Sequence, residues 1–516
     1  MHLQGRIAAR LAAAARHPAA PYLFALLMQL VFAGYVKDDA YIEYRYATNA
    51  AHGHGLVYNV GDPPVEGFTS FLWTVLLIVP ALLHVPLLAF GKLCGAAALV
   101  GVIAVVAALV RARGGSDGAQ QLARWLTATN ASLVVWAQSG MEPVQTALAV
   151  VACAYFLQQR RHWPAMLLAA AAAATRPECH VVLFLAAAVV VWRRAPLPAI
   201  VAIVLVGAIH LWRWKYFGGL VPNTALVKGG RLVLPAGLHL LGELMVTCLA
   251  GVCIVLTFVE AGKKRDAVAL MSAGAVAVFL AYLVRVGRDE MFLVRLFLPV
   301  WPLTLALAAP WLARSWRTRA LEVLRVLLTA GVIVSGLVFI GTRLHTVGYW
   351  ALGERSHVPL AHLMRAHAKP GDMVVFQDLG QTPWAAMDLR FVDPLGLVDS
   401  TIGKIRWRDR ASPFLRMPSE RGREEIRDHL FAIHPQLIAF VAYVDEEYAA
   451  DVKKQLAEAK NAREREAVFA PFLTRNPYYC GLYDDARFAA SFRFVDIIRR
   501  KDTYWFVLFE RAGDLS

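Results

Sequence analysis

The chain has 516 residues, of which 58% are hydrophobic and 18% charged, with a mean hydropathy of +0.49 and a formal net charge of +15. That balance excludes an ordinary soluble globular protein. Residues 1–342 hold 28 Lys+Arg against 14 Asp+Glu and residues 343–516 hold 25 against 24, so the excess charge sits at the ends of apolar runs, as in an integral membrane protein, and does not form a nucleic-acid surface.

Taken in chain order, the first 20 residues carry Arg6, Arg10 and Arg16 without an acid. The following apolar run has no small-residue cleavage site, which predicts an uncleaved signal anchor with its N-terminus in the cytoplasm. Apolar runs near 21–36, 68–83, 86–110, 119–137, 141–158, 163–175, 178–192, 196–214, 233–258, 266–286, 291–310 and 318–341 approach or reach the ~20 residues needed to cross a bilayer. Basic clusters at Arg111 and Arg113, Arg160 and Arg161, Arg193 and Arg194, Lys263 to Arg265, and Arg314 to Arg319 mark the cytoplasmic ends. Counting every run as a crossing gives the wrong parity for this charge pattern, so one run is re-entrant or merged and about eleven crossings are expected. The polar third, 343–516, alternates "DMVVFQ", "QLIAFVAYV" and "TYWFVLFE" with charged helical stretches, which predicts a small α/β domain on the outer side. Five of the six cysteines lie in or beside apolar runs and Cys480 stands alone in the polar third, so no disulfide framework is implied.

The unusual polar residues collect at one end of these runs. Asp38 and Asp39 precede "AYIEYRYATNAA" in the outward loop 37–67, an aromatic amphipathic segment that predicts a helix on the membrane surface. One Asp can cap that helix; the second is then available to take a proton from a substrate hydroxyl. Tyr41 and His54 fall in the same loop, as does Glu66 just before the second run. Paired histidines such as His52 and His54, lacking partners, are more often plain loop residues than metal ligands. Glu142 in "SGMEP" and Arg176 and Glu178 in "TRPE" lie at turns between short apolar runs, where ionisable residues are paired or functional. Asn223 and Lys228 in "LVPNTALVK" and Arg288 and Arg295 in "GRDEMFLVR" add to the same face. Arginine suits bidentate capture of a phosphate and lysine supplies a point charge; lipid headgroup binding is the plainer role for any one of them. No P-loop, dinucleotide fingerprint or nucleophile elbow is present, which argues against ATP-driven work and serine hydrolysis.

In this order, "DDAYIEYRYATNAAHGHGLVYN", "VEGFTSFLW", "SGME", "TRPE", "LVPNTALVK", "GRDEMFLVRLFLP" and "DLGQTPWAAMDLRFVDPLGLVDS" resemble GT-C glycosyltransferases of the bacterial arabinofuranosyltransferase type, such as the mycobacterial terminal β-(1→2)-arabinofuranosyltransferases and pilin-modifying arabinosyltransferases. The resemblance runs from about residue 36 to about 403. It implies a polytopic GT-C enzyme of the bacterial cytoplasmic membrane, with a transmembrane catalytic domain at 1–342 and an extracytoplasmic α/β domain at 343–516. Such an enzyme takes a sugar, D-arabinofuranose by the likeness, from a polyprenyl-phosphate donor and passes it to a cell-envelope glycan or a pilin-like protein. Asp38 and Asp39 match the position of the catalytic carboxylate; Arg176, Lys228, Arg288 and Arg295 would meet the donor phosphate; Glu66, Glu142, Glu178, Asn223, Tyr41 and His54 would line the substrate. Two departures stand out: Pro143 follows Glu142 where the family has Thr, and the C-terminal domain is shorter. A divalent cation can bridge carboxylates and phosphate, although the cations present make one unnecessary.

Another polyprenyl-phosphate sugar, such as mannose, fits the same residues. A flippase of lipid-linked sugar is the rival of a different class. Transporters carry internal repeats and ionisable groups near the bilayer midplane, whereas here the charges gather at one face and no repeat is visible.

Overall fold

The computed structural model describes residues 13–228, 232–264, 266–288, 291–316, 318–411 and 416–512. The first arginines of the expected signal anchor, Asp289 and Glu290 of "GRDEMFLVR", and Arg265 and Arg317 of the basic clusters lie outside these residues.

Apolar composition dictates the membrane half. Helix α1 (Ala20–Val31) is followed, after a bend of 82°, by α2 (Asp39–Ala51). Next come α3 (Phe71–Leu82), α4 (Leu87–Ala112), α5 (Asp117–Ala128), α6 (Ala131–Trp136), α7 (Pro143–Gln158), α8 (His162–Thr175), α9 (His180–Trp192) and α10 (Pro196–Phe217). Short α11 (Asn223–Lys228) leads to α12 (Leu234–Val246), α13 (Ala250–Lys264), α14 (Ala267–Val286), α15 (Trp301–Ala313) and α16 (Arg319–Thr342). Among the described residues six helical segments are long and apolar enough to cross a membrane, seven if α1 and α2 count as one span. Three shorter apolar helices, at 71–82, 143–158 and 177–192, accompany them, and the expected total of about eleven rests on how these are counted. Small residues let backbones close up: a Cβ at Gly95 of α4 would overlap the carbonyl of Ala137, the usual means of bringing helices together where lipid offers no hydrophobic drive.

The remaining third forms α17 (Tyr349–Glu354), α18 (His357–His367), β1 (Met373–Phe376), α19 (Gln381–Ala385), β2 (Arg390–Val392), α20 (Ser400–Arg408), α21 (Glu420–Ala432), β3 (Leu437–Tyr443), α22 (Ala449–Glu458), α23 (Ala462–Thr474), α24 (Ala486–Ser491), β4 (Phe492–Lys501) and β5 (Tyr504–Arg511). The sheet order is β2-β1-β3-β5-β4, with β1 parallel to β2 and β3, and β5 antiparallel to β3 and β4. Central β3, LIAFVAY, is buried except at Tyr443, as a strand covered on both faces must be. One face packs on Ile426, Leu430, Phe469 and Phe488 of its own helices.

The other face belongs to a core shared with the first loop: Val374, Phe376, Leu437 and Phe506 cluster with Ile42, Tyr46, Tyr58, Phe68 and Phe71. Helix α2 is therefore buried nearly all round, from Ala40 to Ala47, and does not lie open on the membrane surface as its amphipathic pattern suggests. Of its three tyrosines, Tyr46 faces the sheet and Tyr41 and Tyr44 face the helical half.

Arg45 holds this junction. It is 1% exposed and its guanidinium donates to the carbonyls of Tyr58 at 2.8 Å, Leu389 at 2.7 Å and Pro383. A fork of fixed donors matches several carbonyls at once, which a lysine cannot do. Arg45→Met should leave those carbonyls buried without donors and cost about 3 to 5 kcal/mol, read as a lower melting temperature of the purified protein. Arg45→Lys should recover less than half of the loss, and an unchanged melting temperature in Arg45→Met would disprove the junction.

Candidate active site

The bend between α1 and α2 sets the two neighbouring carboxylates in different surroundings. Asp38 has helical backbone angles and makes no side-chain cap bond to α2. Its oxygens instead accept from the backbone N–H groups of Gly380, at 3.0 Å, and Gln381, at 2.8 Å. One of the two aspartates that could cap α2 thus holds the start of α19 in the C-terminal domain. A Cβ at Gly380 would overlap the backbone oxygen and carboxylate of Asp38, so only glycine permits the approach. Nearby, Tyr58 donates to the Leu379 carbonyl at 2.6 Å, Tyr504 donates to Asp378, and Arg500 lies 3.9 Å from the Asp378 carboxylate. Burial, then the negative charge of Asp378, pushes the Asp38 carboxyl up to about 6.

Asp39, one residue on, is half-buried and its carboxylate accepts no hydrogen bond from any other described residue. Burial alone would raise its pKa, but the charges of Lys37, Lys228 and Arg295 together hold it below the usual carboxylate range. Tyr35 stands beside it, fully buried, with a hydroxyl that has no hydrogen-bond partner among the described residues. The Tyr35 ring packs 6.2 Å from Trp136, 5.8 Å from Phe292 and 6.0 Å from Tyr349. Arg295 lies over Trp136 and Arg343 over Phe292, at 5.6 and 4.7 Å from the ring centroids. The result is a carboxylate walled by aromatic rings and ringed by cations.

The other expected residues divide into groups. Glu66 receives Arg213 of α10 in a two-pronged pair, Nε at 2.8 Å and Nη2 at 2.9 Å, both side chains buried. Glu142 and Glu178 bracket Arg176, at 2.7 and 2.5 Å, the paired arrangement that ionisable residues at such turns adopt. Asn223 ties α11 to the C-terminal domain, its amide donating to the carbonyls of Gly396 at 2.5 Å, Leu397 at 3.1 Å and Asp399 at 3.2 Å while its N–H meets the Glu66 carbonyl at 3.0 Å. Lys228 is exposed and its charge reaches Asp39. Arg288 is exposed beyond the end of α14. Tyr41 packs against Tyr44 and Trp384 at 5.5 and 6.2 Å, and His54 is exposed past the far end of α2.

Four residues that belong here are not singled out by sequence patterns: Lys37, Tyr35, Arg343 and Glu43. Glu43 lies one helical turn after Asp39, on the same side of α2. It accepts from Ser70, its second oxygen and that of Glu142 are buried without partners, and burial with the nearby Glu142 charge raises its carboxyl well above the ordinary range. The i, i+4 spacing from Asp39 was the available signal. Among the described residues no group of three or more His, Cys, Asp or Glu side chains is placed to hold a metal ion.

Comparison with known proteins adds the following. A family model described as a domain of unknown function, DUF8728, matches residues 348–506. The structure is similar to ArnT from Cupriavidus metallidurans bound to undecaprenyl phosphate, at 14% identity and a TM-score of 0.55, over 94% of this chain and 97% of that one. The same protein in the apo state gives 14% identity and 0.54, with the same coverage. The arabinofuranosyltransferase AftD from Mycobacteria matches at 14% identity and 0.50, over 97% of this chain and 42% of that one. No curated protein matches the sequence. The chain has the GT-C fold of these structures: a helical membrane half with a small C-terminal sheet domain.

Because the folded Asp38 carboxyl titrates near 6 instead of the ordinary 3.8, its contribution to stability is full below pH 3.8 and declines as pH rises through 6. The stability of the native protein minus that of Asp38→Asn should therefore fall between about pH 4 and pH 6, by up to about 3 kcal/mol, and level off above. Unfolding measured across that range checks it; a difference that grows with pH would contradict the assignment.

Proposed function

We propose that this protein is a membrane glycosyltransferase that moves a sugar, D-arabinofuranose by resemblance, from a polyprenyl-phosphate donor to a cell-envelope glycan or pilin-like acceptor on the outer side of the bacterial cytoplasmic membrane. The observation that carries the reading is the contrast between the two aspartates: Asp38 is committed to backbone amides, while Asp39 is left without a hydrogen-bonding residue and faces Lys37, Lys228 and Arg295. Support comes from the GT-C fold shared with a protein whose structure contains undecaprenyl phosphate and with an arabinofuranosyltransferase.

In this reading the donor's phosphate lies against the cations and its isoprenoid tail runs into the bilayer. Asp39 takes the proton of the acceptor hydroxyl as that oxygen bonds to the anomeric carbon. The bond from that carbon to the phosphate oxygen breaks, and polyprenyl phosphate leaves with the electron pair. Fixed cations at the developing phosphate charge lower the barrier without reorganising. They also set the timing. The cations keep Asp39 ionised and weakly basic; an anionic phosphate placed among them offsets their pull, so Asp39 gains proton affinity when donor is bound.

Arg176 supports the arrangement from behind, since two glutamates already occupy it. The sheet domain, bound to Asp38 through Gly380 and Gln381, supplies the outer wall and the acceptor surface.

The test is transfer from a purified polyprenyl-phosphate sugar in proteoliposomes, with released polyprenyl phosphate as the readout. Asp39→Asn should lower the rate by roughly 10²- to 10⁴-fold at unchanged melting temperature. Asp38→Asn should lower melting temperature and rate together. Full activity in Asp39→Asn would remove the proposed base, and movement of intact donor across the bilayer without release of polyprenyl phosphate would identify a flippase.

A further inference from the structure

At the end of the bundle opposite Asp39, two loops repeat a pattern: "QQRRHWP" between α7 and α8, and "VWRRAPLP" between α9 and α10. Helix α7 starts beside Glu142 and runs 16 residues to Gln158, about 24 Å at 1.5 Å per residue, so these loops lie a full helix length from the carboxylate site. They enclose a cleft of about 640 Å³ lined by Arg160, Arg161, His162, Trp163, Arg194 and Leu197, among others.

Three features mark this cleft. First, unlike Arg113, which is paired with Glu260 and Asp266, Arg160, Arg161 and Arg194 form no ion pair among the described residues. Their mutual repulsion is felt by the group beside them: burial, then Arg160, holds Arg193 below its ordinary value. Second, the starts of α8 and α10 open into the cleft, and neither has a side-chain cap; Pro164, Pro196 and Pro198 carry no N–H, but the N–H groups of His162, Trp163 and Leu197 and the positive ends of two helix dipoles add to the arginines. A buried His162 Nε2 also has no hydrogen-bond partner among the described residues. Third, the rim continues as apolar surface: Trp163 and Leu167 on α8 and Leu197, Ile200 and Val204 on α10 are exposed, one helical face leading from the cations along the bundle.

Cations without counter-charge around a cavity call for an anion, and an apolar track leading away from it calls for an acyl chain on that anion. A free phosphate has no use for the track. We propose that this cleft binds the phosphate headgroup of an anionic phospholipid, in the leaflet on the side away from Asp39, with the lipid's chains along α8 and α10. Arg161 and Arg194, one from each loop, meet the phosphate, and the uncapped helix starts donate to its oxygens. The site is independent of the transfer chemistry proposed for Asp39.

Native mass spectrometry of the full-length chain released from detergent tests this, with phosphatidylglycerol and phosphatidylcholine as the lipid probes and glycerol phosphate and inorganic phosphate as headgroup probes without chains. The native protein should retain phosphatidylglycerol over phosphatidylcholine. Arg161→Gln and Arg194→Gln should each reduce that preference roughly fivefold, and about 30-fold together. Arg161→Lys should keep most of it, and Arg111→Gln, at the same end of the bundle in the last turn of α4, should leave it unchanged. Melting temperatures of the variants establish that they are folded; if the double variant is not, the two single substitutions decide. Equal retention of both lipids, a preference that survives loss of Arg161 and Arg194, an equal effect of Arg111→Gln, or displacement by equimolar glycerol phosphate or inorganic phosphate would overturn the proposal.

Discussion

The arrangement depends on one contact, the carboxylate of Asp38 against the amides of Gly380 and Gln381. It couples the turn after α1 to the turn after β1, more than 340 residues later in the chain, and both turns must be in place before Asp39 has a fixed position. The cost is a half-buried negative charge, and the structure meets it with backbone donors that need no side-chain ordering. Arg45 completes the clamp by satisfying carbonyls of the same outer segment, 383–389. A sheet domain that shares a core with α2 cannot be treated as an appendage: moving it would expose Ile42, Tyr46, Tyr58 and Phe376 and unpair several buried polar groups.

Around that contact the charges separate by task. Glu66 with Arg213, and Glu142 with Arg176 and Glu178, are closed pairs whose members are nearly all buried. Opening one would leave an uncompensated charge near the membrane, which costs far more than the pair returns in stability. These residues orient α7, α8, α9 and α10 relative to the first loop. Asp39 belongs to a different class. Its neighbours Lys37, Lys228 and Arg295 act on it through space and keep it ionised. The buried, unpartnered oxygens of Glu43 and Glu142 extend the acidic surface beneath it; a proton on Glu43, favoured by its burial, turns one of the two orphans into a donor.

Particular residues show where sequence patterns carry information and where they stop. Strands β1, β3 and β5 are visible as short runs of Val, Ile, Phe and Tyr because a buried strand selects those side chains. Strand β4, FRFVDIIRRK, is an edge strand with mostly half-exposed or exposed residues, and its charges hide it among helical segments; β2 is too short to show a period. The aromatic helix α2 looks amphipathic because tyrosine fits a headgroup layer and a protein core equally well, and its neighbours, not its own pattern, decide between them. Arg343 falls just past the last apolar run, where charge counting assigns it to the outer domain, and only the packing of Phe292 and Tyr35 brings it to the site.

By itself the sequence determined that the chain is a polytopic membrane protein, that its unusual carboxylates and cations gather at one end of the helices, and that a small α/β unit follows. These features arise from local composition: bilayer thickness sets the length of apolar runs, and desolvation confines charge to their ends. Tertiary structure decided which member of the Asp38–Asp39 pair is structural and which is left open, that Glu66 and Arg176 are already paired, and that Glu43 joins the site. Those outcomes depend on partners distant in the chain, and a carboxylate's role is set by what it faces.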